Sequence, residues 1–192
     1  MEEPSSNSSN YDERGSIPII AGRGGAIGDA LGGAVEFIPR AEILQRFGPE
    51  GISDYADAYG GKGKITDDTQ MTLFTAEGLL GGLMRGVSRG TSSFDHTVAN
   101  AYLRWLTTQG YSCRATDTQT TGWLFRQQEL HSQRAPGMTC LSALQDYSGE
   151  PGIAPNDSKG CGGVMRVAPV GLFWWLSQGI RKPWPRSARR QS

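Results

Sequence analysis

"TDDTQMTLFTAEGLLGGLMRG", residues 66–86, decides the fold class. Met71, Phe74, Thr75, Gly78, Leu79 and Gly82 recur at three- and four-residue intervals, the spacing that lines one face of an α-helix. The run opens on two adjacent carboxylates, Asp67 and Asp68, between Thr66 and Thr69. Asp67 followed three residues later by Gln70 fits a capping box, and a carboxylate at a helix N-terminus contributes about 0.3–1 kcal/mol. One acidic cap accounts for Asp67 but leaves Asp68 and the flanking hydroxyls unexplained. Adjacent carboxylates repel each other, and a hard divalent cation, which takes carboxylate, hydroxyl and water oxygens, relieves that repulsion. On this stretch alone, cap and metal site both stand.

Upstream, "IPIIAGRGGAIGDALGGAVEFIPR" mixes apolar and small residues up to Pro39. Read as a helix, it puts Asp29 and Glu36, seven residues apart, on nearly one face, with Gly32 and Gly33 between them. That face is either lined by carboxylates or part of a tightly packed core helix with acids at its ends. "AEILQRFG" reads as a short helix closed by Gly48, and residues 49–64 as a loop of turn residues. Downstream, "FDHTVANAYLRWLTTQG" carries Val98, Tyr102 and Trp105 or Leu106 on one stripe, and "TDTQTTGWLFRQQELH" and "TCLSALQDYS" also read as helical. No stretch alternates over strand length, so an all-α domain is expected.

The bulk numbers bound the function. A chain of 192 residues suits one domain. Nineteen basic and nineteen acidic residues give no global argument for nucleic acid or an anionic membrane. The balance is uneven: residues 174–192 hold five basic groups and no acid, leaving fourteen basic and nineteen acidic groups on residues 1–173. Cys113, Cys140 and Cys161, with His96 and His131, make no zinc-binding spacing, so free thiols in a reducing compartment are expected. The opening "MEEPSSNSSNYDERG" lacks the pattern of a signal peptide, and no apolar run nears the roughly 20 residues that cross a bilayer. A soluble, cytoplasmic protein is expected, with residues 1–15 disordered.

Two nucleotide motifs fail. Neither Gly61-Lys62 nor Gly63-Lys64 is followed by Ser or Thr, as a phosphate loop requires. Gly22 and Gly24 need a third glycine where Ile27 stands, so the dinucleotide fingerprint is missing.

Three stretches taken together resemble the ADP-ribosylglycohydrolase family: "IGDALGGAVEF", "ITDDTQMTLFTAEGLL" and "GCGGVMRVAPVGLF", with "RAPGMTCLSAL" before the last. The resemblance covers residues 16–173 and implies a compact, orthogonal all-α fold with a two-ion Mg²⁺ or Mn²⁺ centre. It implies Thr66, Asp67 and Asp68 as metal ligands and Glu36 as the acid–base residue over the scissile bond. It also implies that the loop of Asn156, Ser158, Lys159, Gly160, Cys161, Gly162 and Gly163 cradles ADP-ribose with backbone amides, for which glycines permit close approach. An ADP-ribosylated protein is the implied substrate. A non-catalytic binder, or an immunity-type protein masking a target of ADP-ribosylation, is the alternative.

The sequence departs from the family in three ways. Cys161 replaces the usual asparagine of the loop. The second ligand set, Asp-x-Asp-Thr/Ser, is absent: at Asp117-Thr118 the required first Asp is Ala115. Residues 174–192 read as a basic tail outside the family pattern. A truncated homologue with impaired activity is therefore expected.

Overall fold

The computed structural model describes residues 9–114, 121–150 and 157–179. Six α-helices follow one another among them: α1 (Ser9–Gly32), α2 (Arg40–Phe47), α3 (Asp67–Arg89), α4 (Phe94–Thr108), α5 (Met138–Gln145) and α6 (Ala168–Gly179). The one sheet among the described residues is an antiparallel pair of two-residue strands, β1 (Asp57–Ala58) and β2 (Gly61–Lys62). The fold is all-α. Tyr59 at φ 50° and Gly60 at φ 86° turn this small hairpin inside the expected loop; two successive positive φ angles suit the twist of paired strands.

Helix α3 buries Met71, Phe74, Thr75, Gly78, Leu79 and Gly82, the stripe that its periodicity predicts. It packs against α1, α4 and α6. A Cβ on Gly78 would lie 2.6 Å from the Val98 Cα, and one on Gly82 2.8 Å from the Phe94 ring. Glycine at both positions is what lets α3 and α4 approach so closely. Around this seam Met71, Phe74, Trp105, Leu106, Leu130 and Leu141 form the core. Each large apolar side chain so buried stabilises by roughly 1.5–3 kcal/mol. On α4 both Trp105 and Leu106 turn inward, while Tyr102 is half-buried and its hydroxyl meets Thr75 Oγ1 at 2.6 Å.

The capping box is corrected. Thr66, not Asp67, is the N-cap of α3, with its Oγ1 accepting from the Asp68 N–H at 3.3 Å. Gln70 is fully buried and serves the core instead. Its Nε2 donates to Ser132 O at 3.1 Å, and its Oε1 accepts from Trp105 Nε1 at 3.0 Å and Gln109 Nε2 at 3.1 Å. A buried indole and a buried amide both need such an acceptor, and that need outweighs a surface cap.

Three further expectations shift. Helix α1 begins at Ser9 rather than after residue 15, and continues through Gly15 and Pro18 although both residue types weaken a helix interior. It ends at Gly32, so Glu36 lies in the following turn and not on a shared helical face with Asp29. Residues 124–126 and 128–130 form 3-10 turns instead of an α-helix. There the Leu124 N–H donates to Glu77 Oε1 at 2.9 Å, and Arg104 holds the other oxygen at 2.7 Å. That long-range bond replaces a local one and fixes the segment against α3. Helix α2 ends as expected at Gly48, φ 88°. No helix among the described residues is long and apolar enough to cross a membrane.

Candidate active site

The end of α1 meets the start of α3 through one carboxylate. Asp29 Oδ1 accepts from Thr66 Oγ1 at 2.6 Å, and its Oδ2 accepts from the backbone N–H groups of Thr66 at 2.9 Å and Thr69 at 3.2 Å. These are amide groups that a helix start leaves without intrahelical partners, so Asp29 acts as a cap supplied from another helix. Gly33 makes the contact possible, since a Cβ there would lie 2.7 Å from Thr66 Cγ2.

Asp67 and Asp68 diverge. Asp67 is 5 % exposed and reaches the segment before α5: its N–H donates to Arg134 O at 2.9 Å, and its Oδ2 accepts from Gly137 N at 3.0 Å. Between these anchors Ala135 takes φ 55°. Asp68 is exposed on the other side, and its carboxylate has no hydrogen-bond or ion-pair partner among the described residues. Adjacent side chains at a helix start thus face two different surroundings.

The electrostatics are those of gathered acids. Burial pushes the Asp67 carboxyl up to about 6, against the opposing Gly137 N–H, and the charges of Asp68 and Glu36 add to the rise. Glu36 is raised first by partial desolvation, then by Asp68 and Asp29. Its accessible surface is that of an exposed residue, so the cleft wall beside it removes only part of its hydration. Asp68 is raised by desolvation and by Asp29, and the Tyr59 phenol by burial and by Glu36, Asp67 and Asp29. Among the described residues, no lysine or arginine pairs with any of the four acids.

A cleft of about 930 Å³ opens beside them, lined by the Gly-rich face of α1, Asp29, Glu36, Thr66, Asp68, Thr69 and Met165. Asp67 does not line it, because its side chain turns towards Gly137. The loop expected to hold ADP-ribose lies next to the cleft rather than in its wall. Ser158 Oγ meets Thr139 Oγ1 at 2.7 Å, and a Cβ on Gly160 would lie 3.0 Å from that same Thr139 oxygen. Cys161, Gly162 and Gly163 form a 3-10 turn over the N-terminal half of α5, with Lys159 exposed. Asn156 lies outside the described residues. The chain re-enters the cleft at Met165, whose carbonyl accepts from Thr72 Oγ1 at 3.1 Å.

The family model of the ADP-ribosylglycohydrolases matches residues 22–191. The chain belongs to the ADP-ribosylglycohydrolase family. No curated protein and no solved structure matches it. Membership makes this a glycohydrolase-type chain acting on ADP-ribose.

In this ADP-ribosylglycohydrolase the sequence brings out Glu36, Thr66, Asp67 and Asp68, and the structure puts all four around one helix start. It adds Asp29, which holds that start in place, and Gly137, whose N–H orients Asp67. Asp29 was visible in the sequence as an acid within a Gly/Ala-rich run; Gly137, seventy residues from Asp67, left no local signal. The donor set suits a hard divalent ion in kind, being all oxygen, partly desolvated and rich in uncompensated negative charge. Among the described residues, no three His, Cys, Asp or Glu side chains converge closely enough to enclose an ion.

Proposed function

We propose that this glycohydrolase hydrolyses the bond joining ADP-ribose to a modified protein side chain, an N-link to arginine or an O-link to serine. The observation that carries the reading is the gathering of Glu36, Thr66 and Asp68 along one cleft large enough for a nucleotide-sized ligand. Glu36 acts as the acid–base group at the anomeric carbon, and partial desolvation with the charges of Asp68 and Asp29 raises its pKa. Asp29, in the cleft wall, fixes Thr66 and the first turn of α3. The backbone amides of Gly160, Gly162 and Gly163, with Ser158 and Lys159, receive the phosphates at the cleft's edge. Thr66, Asp67 and Asp68 are the residues that would hold Mg²⁺ or Mn²⁺, which when bound supplies Lewis-acid stabilisation of charge on ribose oxygens.

The test is release of ADP-ribose from modified arginine and serine peptides, with calorimetry on free ADP-ribose in parallel. Wild type should both bind and release. Glu36→Gln should bind and fail to release. Binding without release by the wild type would favour a protein that masks ADP-ribosylated targets, and full activity in Glu36→Gln would refute its role.

A further inference from the structure

Cys161 stands in the Gly-rich loop, and the loop rests on the one helix that presents a second thiol towards it. Cys140, the third residue of α5, is 5 % exposed. A Cβ on Gly162 would overlap the Cys140 sulfur, so the loop backbone touches that sulfur directly. Cys161 immediately precedes Gly162, one Cα step of about 3.8 Å away. Gly160 behind it is held against Thr139, the neighbour of Cys140 in α5. Arg166, three residues beyond the 3-10 turn, brings its Nη1 to 3.4 Å from Cys140 Sγ, where it works against the burial that pushes this thiol's pKa up. Neither Cys140 nor Cys161 is in a disulfide in the structure, and Cys161 is exposed.

We propose that Cys161 and Cys140 are a redox latch: a reversible disulfide between them pins the Gly-rich loop to α5. Peroxide meets the exposed thiol first. Its O–O bond breaks as Cys161 sulfur takes one hydroxyl, giving a sulfenic acid and one water. The Cys140 sulfur then attacks that sulfur, the S–O bond breaks, and a second water leaves with the Cys140 proton. Two thiols are oxidised to one disulfide while one peroxide is reduced to two waters. A disulfide asks for Cα atoms about 4.4–6.8 Å apart, and the glycines on both sides of Cys161 give the loop the backbone freedom to meet that demand. Loop and helix then cease to move independently.

The experiment treats the reduced full-length chain with hydrogen peroxide and maps peptides by mass spectrometry without reduction. The expected product is a cross-link between the peptides holding Cys140 and Cys161, lighter by two hydrogens and reversed by dithiothreitol. Cys113→Ser should retain the link. Cys161→Ser and Cys140→Ser should lose it, and Cys140→Ser should accumulate a sulfenic acid that dimedone traps at Cys161. Trypsin cleavage after the exposed Lys159 reads the latch itself and should slow on the order of tenfold in the oxidised wild type. A link made through Cys113 would overturn the proposal. So would over-oxidation of Cys161 with Cys140 still reduced, or cleavage after Lys159 at an unchanged rate.

Discussion

Replacing Asp67 by asparagine should stabilise the protein at neutral pH, although the residue lies at the heart of the acid cluster. The carboxyl is buried and its pKa in the folded chain is about 6, against an ordinary 3.8. Over that window the folded chain keeps a proton that the unfolded chain has released. The stabilisation is therefore complete below 3.8 and is lost as pH rises through the folded value. At about 1.36 kcal/mol per pH unit, ionisation of Asp67 costs the folded state about 3 kcal/mol once pH exceeds 6. Asparagine never ionises, and its amide oxygen can still accept from the Gly137 N–H. Urea unfolding of both proteins from pH 4 to pH 8, followed by the fluorescence of buried Trp105 in the presence of EDTA, measures the difference. The two should be nearly equal at pH 4, and the variant about 3 kcal/mol more stable at pH 7.5. Millimolar Mg²⁺ should then raise the wild type and leave the variant unmoved. A variant less stable than wild type at pH 7.5, or one with the same pH slope, would refute the reasoning.

Other outcomes follow from single contacts. Glu36→Gln should lower the rate of ADP-ribose release by about 10²–10⁴-fold at unchanged ligand affinity, measured by single-turnover release and calorimetry. Gly78→Ala puts a methyl 2.6 Å from the Val98 Cα and should cost about 1–3 kcal/mol in urea unfolding by forcing α3 and α4 apart. An Ala variant as stable as wild type would mean that the seam is looser than described. Gln70→Leu strands the Trp105 indole N–H in the core, at about 1–3 kcal/mol, while Gln109 keeps Thr108 Oγ1, and should expose Trp105 to fluorescence quenchers.

The helix at the centre was legible because one face of α3 is both apolar and periodic, and its glycines fall on that face. In the sequence Asp29 fits either a carboxylate-lined face or a packed core helix, but Glu36, Asp67 and Asp68 were legible as a set, since they stand in short, distinctive runs. Their directions were not. A seven-residue spacing aligns Asp29 with Glu36 only while the helix continues, and α1 stops at Gly32. Which of Thr66 and Asp67 caps α3 depends on Asp29 and Gly137, one from the preceding helix and one from a segment seventy residues on. The 3-10 turns at 124–130 were misread for the same reason: Glu77 supplies from α3 the acceptor that a local helix would have provided. Periodicity reports what a segment needs to bury and says nothing of which distant group will meet its backbone.

The segment Arg134–Gly137 is fastened to residue 67 at both ends, by the Arg134 carbonyl and by the Gly137 amide. Surface connections ordinarily absorb insertions and deletions during evolution. This one has no slack: a residue gained or lost between those two anchors changes the span that has to close on Asp67. Related chains should therefore vary in length before Arg134 and beyond α5 while holding this four-residue interval constant. A length change inside it would mark a lineage in which the acid at position 67 has been released from its work.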